Sequence, residues 1–249
     1  MDALASLPSC LEESRIGSLP ADAFYIKDFI SPEEEQALLE KIEAAPKPRW
    51  KSLAHRRLQT WPSDLTKSNT LLESALPNWL LEPVVTRLLS LQTSTKTNDH
   101  IFSVSPHGAP NHVLINEYKP SQGIMPHRDG SAYHPVVCTV SLGSSITLDI
   151  YDTKEDGTRE NEPKYRIFQE PRSLLITTGK LYTDFLHGIS ENDQDTNLSP
   201  ESVSNWDLLA SPEKITNGTW QRATRTSLTY RDVIKVSKLG NKFGIFRKR

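Results

Sequence analysis

Cysteine is scarce in this chain, with Cys10 and Cys138 the only two among 249 residues. Two cysteines provide no disulfide framework, so we expect a reducing compartment. No apolar run approaches the roughly 18 residues that a membrane-spanning helix requires, and a membrane partner is therefore not expected. Residues 1–8 carry no basic segment before their short apolar stretch, which argues against a cleaved secretory signal.

Neither charge is in clear excess, because the chain has 29 lysines and arginines and 31 acidic residues, which gives a net charge of -2. A polyanionic partner would therefore have to bind a local basic patch. One acid-free run combines basic and aromatic residues, namely Lys47, Arg49, Trp50, Lys51, His55, Arg56, Arg57 and Trp61. This run suits phosphate contact and base stacking, and it equally suits solvated lysines beside core tryptophans. A second basic stretch, the tail 235–249, is expected to be solvated.

A helix start is encoded at Ser31. Proline follows in the first turn and Glu34 stands three residues after the serine, which together are typical of a capping box. This helix should end near Ala45. A second helix or helix pair is predicted around residues 70–91, interrupted by Pro77 and Pro83.

From residue 112 onward the pattern changes to short β-rich runs. They cover residues 113–118, 136–142, 146–151, 165–168, 174–178 and 224–233. Many short strands separated by turn signals indicate a sandwich or jelly roll, so the fold class is mainly β with flanking helices. We expect a single domain, 1–249, in which residues 1–100 form a helical N-terminal region, residues 101–234 a β core and residues 235–249 the basic tail.

One long segment, 191–219, does not fit a compact series of strands. Residues 191–213 within it include six acidic residues and no lysine or arginine. Segments of this length without regular structure are usually functional or disordered. We predict a solvated acidic insertion in preference to a working lid.

His127 and Asp129 are the strongest candidates for metal ligands. Residues two apart in an extended segment point to the same side, so both can reach one ion. His187 lies near a predicted strand end and is the best third ligand, with His134 as its main competitor. Two histidines and a carboxylate hold one face of Fe(II) in non-haem oxygenases, and zinc is the alternative metal. The sequence lacks the His-Glu-x-x-His helix that usually accompanies hydrolytic zinc sites.

A later strand carries two arginines that suit a dicarboxylate. Arg225, Ser227 and Arg231 share one face of the predicted strand, because their spacing is even. In a straight strand the two arginines would stand roughly 20 Å apart. Their long side chains would therefore have to lean toward a ligand between them. Arginine is the expected clamp for a carboxylate. Arg166 and Arg172 have the same spacing, but a proline breaks their strand, and we interpret them as solvated surface residues.

With these residues assembled, the chain resembles the AlkB-type Fe(II)- and 2-oxoglutarate-dependent dioxygenases. The ordered family pattern is Asn-x-Tyr, His-x-Asp, a distal His and Arg-x5-Arg, matched here by Asn116, Tyr118, His127, Asp129, His187, Arg225 and Arg231. Residues 116–127 and 140–144 are most similar to the subgroup called AlkB homologue six. The resemblance implies a double-stranded β-helix, or jelly-roll, dioxygenase core.

The resemblance also implies a role for each matching residue. The Fe(II) ligands would be His127, Asp129 and His187. The distal carboxylate of 2-oxoglutarate would be held by Arg225, Ser227 and Tyr118, with Arg231 and Asn116 near its metal-chelating end. O2 would take the remaining metal position. Substrate contacts would come from Lys51, Arg56 and Arg57 in the basic run.

The implied reaction is oxidative demethylation of an N-alkylated base in DNA or RNA. Single strands are favoured over duplexes, because the acidic segment would repel phosphates if it lay near the cleft. We expect a monomer in the nucleus and cytoplasm. Two alternatives remain: a protein side-chain hydroxylase with the same iron site, and a catalytically weak adaptor that binds nucleic acid or protein.

Overall fold

Strands outnumber helices in residues 7–20, 23–154 and 156–238, the portion of the chain that the computed structural model describes. The α-helices are α1 (Pro32–Glu43), α2 (Asn78–Leu81), α3 (Val84–Ser90) and α4 (Gly179–Thr183). The strands are β1 (Ala23–Ile26), β2 (Lys51–Leu53), β3 (Arg56–Trp61), β4 (Thr70–Leu72), β5 (His112–Tyr118), β6 (Ile124–His127), β7 (Val136–Leu142), β8 (Ile146–Tyr151), β9 (Tyr165–Gln169), β10 (Leu174–Thr178), β11 (Leu186–Ile189), β12 (Gln194–Asp195), β13 (Trp220–Gln221), β14 (Arg225–Arg231) and β15 (Lys235–Ser237). None of the helices described has the length and apolar character needed to span a bilayer.

Two antiparallel sheets form the core of the fold. The major sheet has the strand order β1-β10-β7-β14-β5-β3-β2, and the minor sheet has the order β6-β11-β8-β9. A cavity is lined by side chains from both sheets, with Asn116 and Arg225 on the major sheet and His127 and His187 on the minor sheet. The predicted mainly β, jelly-roll architecture is therefore confirmed.

Strand β14, near the middle of the major sheet, is buried on both faces. Leu228 and Tyr230 are 0% exposed and belong to the apolar cluster that also contains residues of all three N-terminal helices. The Tyr230 hydroxyl donates to the carbonyl oxygen of Leu80 at 3.0 Å. The alternate residues, including Arg225 and Arg231, line the cavity on the other face. Helices on one side and the minor sheet on the other explain this two-sided burial.

The N-terminal region is less helical than predicted. Helix α1 has the expected capping box between Ser31 and Glu34, and α2 and α3 begin directly after Pro77 and Pro83. Residues 70–72, predicted as helix, instead form β4, which pairs in parallel with β15. Strands β1, β2 and β3 also come from this region and extend both edges of the major sheet. Without β1 and β3, one backbone edge of β10 and one of β5 would be unpaired, which explains why these short segments form strands.

The basic tail and the acidic segment 191–219 were both predicted to be solvated. The tail begins with β15, whose backbone pairs with β4, while the side chains of Lys235 and Ser237 are exposed as predicted; residues 239–249 lie outside the described portion. The predicted solvated insertion at 191–219 is solvated only in part, since five of its six acidic residues are exposed but its apolar residues are not. Leu198, Val203 and Leu209 are buried in an apolar cluster with β9 and β10, because the segment packs along the edge strand β9, where the Asn205 side chain bonds to the Phe168 backbone.

Candidate active site

Two neighbouring strands of the minor sheet bring two histidines together. His127 on β6 lies opposite His187 on β11, and their ring centroids are 4.5 Å apart. Asp129 follows β6, and its Oδ1 lies 3.9 Å from Nε2 of His127 and 4.0 Å from Nε2 of His187. Ligand atoms of these three residues lie within 4.8 Å of one another, the one such group in the described chain. His134, the competitor, is outside it.

Both imidazoles are prepared for metal binding. Nδ1 of His127 donates to the carbonyl oxygen of Met125 at 2.9 Å, so the proton sits on Nδ1 and leaves the Nε2 lone pair free. Burial lowers the pKa of His187 to about 4, despite the nearby Asp129 carboxylate, so this ring is neutral at pH 7. Gly130 then turns the chain at a φ of +81°, a conformation that favours glycine.

Arg225 lies on the opposite wall of the cavity and lacks an anion. It is 3% exposed, and one Nη donates to Ser141 Oγ at 2.9 Å and to Gln169 Oε1 at 3.2 Å. Its Nε has no hydrogen-bond partner, and no carboxylate of the described residues pairs with it. Burial lowers the pKa of this guanidinium to about 10. A buried cation of this kind needs a negative partner, which a ligand carboxylate would supply.

The neighbouring strand adds polar groups beside Arg225. Tyr118 stands opposite Arg225 in the β14–β5 ladder, and Asn116 stands opposite Ser227. All four side chains line the cavity. The Tyr118 hydroxyl has no hydrogen-bond partner within the described residues and is free to donate to a ligand. The predicted co-substrate residues are thus brought to one wall of one cavity.

Arg231 lies at the metal end of that wall. Its Nη1 is 3.2 Å from Asp129 Oδ1, its guanidinium carbon is 4.0 Å from the Tyr133 ring centroid, and its Nε is buried without a partner. The two arginines therefore face different ends of the cavity, which accounts for their wide separation along β14. Two imidazoles, a carboxylate and two incompletely paired guanidinium groups fit Fe(II) together with a dicarboxylate.

Comparison with known proteins agrees with this donor set. The sequence profile described as the 2OG-Fe(II) oxygenase superfamily matches residues 22–231. The chain belongs to this superfamily. It is therefore a dioxygenase, and the cofactors of the superfamily are Fe(II), 2-oxoglutarate and O2.

Individual relatives place the oxygenase in the AlkB-type branch. It is 37% identical over 237 residues to a Danio rerio protein named probable RNA/DNA demethylase ALKBH6, covering 91% of this chain and 92% of the relative. It is 28% identical over 221 residues to the Xenopus tropicalis tRNA (carboxymethyluridine(34)-5-O)-methyltransferase alkbh8, covering 87% of this chain but 32% of that protein. The solved structure of OsALKBH1 superposes with a TM-score of 0.52 at 15% identity, over 86% of this chain and 98% of that one, which supports the fold alone.

Several residues that support the oxygenase site were not predicted from the sequence. Ser141 and Gln169 hold Arg225. The Tyr182 hydroxyl donates to the Gly130 carbonyl oxygen, and Arg128 donates to the carbonyl oxygen of Asp184 at 2.7 Å. These last two bonds tie the His-x-Asp turn to the segment before His187. A polar residue within the apolar strand 136–142 was a visible signal for Ser141, whereas the others carried none.

The second arginine pair lies elsewhere. Arg166 pairs with Asp149 at 3.4 Å, and Arg172 pairs with Asp28 at 3.0 Å and with Glu35 at 3.3 Å. Neither arginine lines the cavity of the oxygenase. They are ion-paired rather than simply solvated, because each faces an acid of a neighbouring element.

Of the three predicted substrate contacts, two are ion-paired within the protein and one lines the cavity. Lys51 is ion-paired with Asp64. Arg57 pairs with Glu117, and its guanidinium carbon is 3.9 Å from the Trp50 ring centroid. Arg56, by contrast, lines the cavity. The tryptophans of the basic run, Trp50 and Trp61, pack against the main apolar cluster.

Proposed function

We propose that the oxygenase removes N-alkyl groups from bases in nucleic acid, in DNA or RNA. The observation that carries this proposal is the cavity itself, which holds a three-residue metal group at one end and the buried, unpaired guanidinium of Arg225 at the other. The relative that is named a probable RNA/DNA demethylase, 37% identical over nearly its whole length, supports the choice of substrate.

Each residue has a proposed role in that reaction. His127, Asp129 and His187 would hold Fe(II) through Nε2, a carboxylate oxygen and Nε2. Arg225, Ser227 and Tyr118 would bind the distal carboxylate of 2-oxoglutarate, and Arg231 and Asn116 would stand near its chelating end. When bound, Fe(II), 2-oxoglutarate and O2 supply a C–H hydroxylation coupled to release of succinate and CO2. A hydroxylated N-methyl group then leaves as formaldehyde.

Other side chains of the cavity shape it and orient the metal-binding residues. The apolar side chains Ile150, Leu175 and Leu181 line the same cavity as the metal group and give it a partly apolar wall. Arg231 balances the charge of Asp129 by pairing with Oδ1, the same oxygen that lies nearest Nε2 of both histidines. The bond from Tyr182 to the Gly130 carbonyl holds the turn that carries Asp129.

Single strands are the proposed substrate form. The cavity lies between two sheets, so a base stacked in a duplex would first have to be flipped out. Glu191 pairs with His55 at 3.2 Å at the tip of the β2–β3 hairpin, which places an acid beside the hairpin that carries Arg56. We expect Glu191→Gln to increase duplex affinity more than single-strand affinity; equal changes for both forms would contradict this preference.

The proposal also includes a single domain that acts as a monomer in the nucleus and cytoplasm. Light scattering after size-exclusion chromatography checks the oligomeric state, with a mass near the 28.1 kDa of one chain expected. Imaging of the tagged full chain checks the location.

The deciding experiment measures succinate and formaldehyde release with Fe(II) and 2-oxoglutarate. Single- and double-stranded DNA and RNA carrying different N-methyl bases form the substrate panel, and Asp129→Ala is the blank. Formaldehyde from one class, absent in the blank, establishes demethylation and identifies the substrate. Succinate without formaldehyde points to another hydroxylation target, such as a protein side chain. Neither product, with metal and 2-oxoglutarate shown to bind, favours the adaptor.

A further inference from the structure

Three basic residues of the β2–β3 hairpin differ in what already binds them. Lys51 is ion-paired with Asp64. Arg57 makes two bonds of 2.7 Å to Glu117 and one of 3.1 Å to Glu43. The charges of both are therefore compensated within the protein, and releasing Arg57 would leave Glu117, which is 7% exposed, without its partner.

Arg56 is the exception. Its Nε donates to Asn116 Oδ1 at 3.1 Å, and within the described residues no carboxylate pairs with it and its two Nη groups have no hydrogen-bond partner. The side chain is half-buried and lines the cavity that holds the metal group. Asn116 fixes the base of the guanidinium, so the two terminal nitrogens remain available to a ligand.

Charge counting indicates what that ligand is. With Fe(II) and 2-oxoglutarate in place, the metal, Arg225 and Arg231 bring four positive charges, while Asp129 and the diacid bring three negative charges. The loaded cavity is thus positive before Arg56 is added, and the co-substrate does not require a further cation. A guanidinium with two free donors matches a phosphate, which accepts two parallel hydrogen bonds.

Exposed apolar side chains beside Arg56 and beside the metal ligand His127 are also suited to a nucleotide. Leu53, which faces Arg56 across the hairpin, is 47% exposed, and Met125, two residues before His127, is 78% exposed. Large apolar side chains exposed beside a cavity can cover the flat face of a base. The hairpin therefore presents a free cation together with apolar surface.

We infer that Arg56 binds the backbone phosphate of the nucleotide whose base enters the cavity, an inference that rests on the proposed function. Lys51 and Arg57 do not make this contact. Arg56 thus sets how nucleic acid is positioned over the iron site, and it does so without reading the base.

The test measures binding of fluorescein-labelled single-stranded 12-mers, one of thymidine and one of uridine nucleotides. Fluorescence anisotropy is recorded over a salt series with the full chain loaded with Mn(II) and 2-oxoglutarate. Arg56→Gln is expected to raise Kd about tenfold for both probes, as for the loss of a charge-assisted hydrogen bond. The slope of log affinity against log salt should fall by about 0.7, the value for one phosphate contact on a single strand.

Two variants and one further measurement make the result decisive. Arg56→Lys keeps the charge and is expected to retain the salt slope while losing some of the affinity. Lys96→Gln removes a charge from an exposed turn outside the cavity and is expected to change neither quantity. The 2-oxoglutarate affinity and the melting temperature of Arg56→Gln should equal those of the wild type.

Other outcomes overturn the inference in distinguishable ways. An unchanged salt slope in Arg56→Gln, with wild-type binding intact, removes the phosphate contact and leaves the proposed function standing. A parallel loss of 2-oxoglutarate affinity assigns Arg56 to the co-substrate instead. Absence of oligonucleotide binding by the loaded wild type overturns this inference and counts against the proposed function as well.

Discussion

Arg231 and Asp129 form an ion pair across the cavity, with Nη1 3.2 Å from Oδ1. Arg231 comes from the major sheet, whereas Asp129 follows the strand of the minor sheet that ends at His127. The same carboxylate oxygen lies about equally far from both imidazole Nε2 atoms. The aspartate is therefore oriented toward the metal position by a residue that is not itself a ligand.

Removing this carboxylate should abolish specific metal binding. We expect Asp129→Ala to weaken Mn(II) binding by at least about 100-fold, because even partners outside the ligand set contribute roughly 10–100-fold to metal affinity. Calorimetric titration of the metal-free chain measures the change. His134→Ala is the matched control, since His134 is close in sequence but outside the metal group. An equal loss in both variants would disprove the assignment.

Arg225→Met should have opposite effects on ligand binding and on stability. The 2-oxoglutarate affinity should fall by about tenfold or more, since a charge-assisted hydrogen bond contributes about 1.5–3 kcal/mol. The free energy of unfolding of the ligand-free chain should be unchanged or higher, because a buried guanidinium without an anion is removed.

Calorimetry with 2-oxoglutarate and urea denaturation measure the two effects of Arg225→Met. Arg172→Met is the control for the loss of an arginine outside the cavity, and it should leave the 2-oxoglutarate affinity unchanged. A large drop in stability of the ligand-free Arg225→Met variant would show that Arg225 already has an adequate partner.

His112 should make the fold sensitive to acid. It is buried, its Nε2 donates to the Ser63 carbonyl oxygen at 3.1 Å, and its Nδ1 has no partner. Burial, aided by the charge of Arg231, lowers the pKa of His112 from 6.5 to about 4. The unfolded chain therefore takes up a proton as pH falls below 6.5, and the folded chain does not until about pH 4.

Wild-type stability should accordingly drop by about 3 kcal/mol more than that of His112→Gln between pH 7 and pH 4, at about 1.36 kcal/mol per pKa unit. Glutamine preserves a donor toward Ser63 and does not titrate. Urea denaturation of both proteins at several pH values measures the difference. Parallel pH profiles would mean that the pKa of His112 is the same in the folded and the unfolded chain.

Arg222 anchors the 191–219 segment through a buried ion pair with Asp195, 2.6 Å between Nη2 and Oδ1. Arg222→Met leaves Asp195 buried and unpaired, so we expect the free energy of unfolding to fall by about 3–5 kcal/mol. Adding Asp195→Leu should restore most of the loss. Lys164→Met, which breaks an exposed pair, should change little. Similar small effects of both single substitutions would contradict the structural role of the segment.

Local sequence signals predicted the local features well. The cap at Ser31 depends on groups within one helical turn, and the spacing of His127 and Asp129 depends on a single extended segment. His187 was selected among seven histidines because it lies near a predicted strand end, and the family pattern agreed with that choice. Each of these inferences requires only short-range geometry or a family pattern.

Features that depend on contacts between distant elements were not predictable in this way. Gln169 supports Arg225 only because β9 and β14 lie on opposite sides of one cavity. The 191–219 segment looked solvated because its six acids are obvious, whereas Leu198, Val203 and Leu209 are spaced without a regular period and bury against β9 and β10. Tertiary packing, not composition, determined that outcome.

The two histidines belong to one sheet of the sandwich and the two arginines of β14 to the other. Any ligand that binds both the histidines and the arginines therefore bridges the two sheets. Ligand binding at the site is thus linked to the free energy that holds the two sheets together. The folded chain should therefore resist unfolding more strongly when Fe(II) and 2-oxoglutarate are bound than when they are absent.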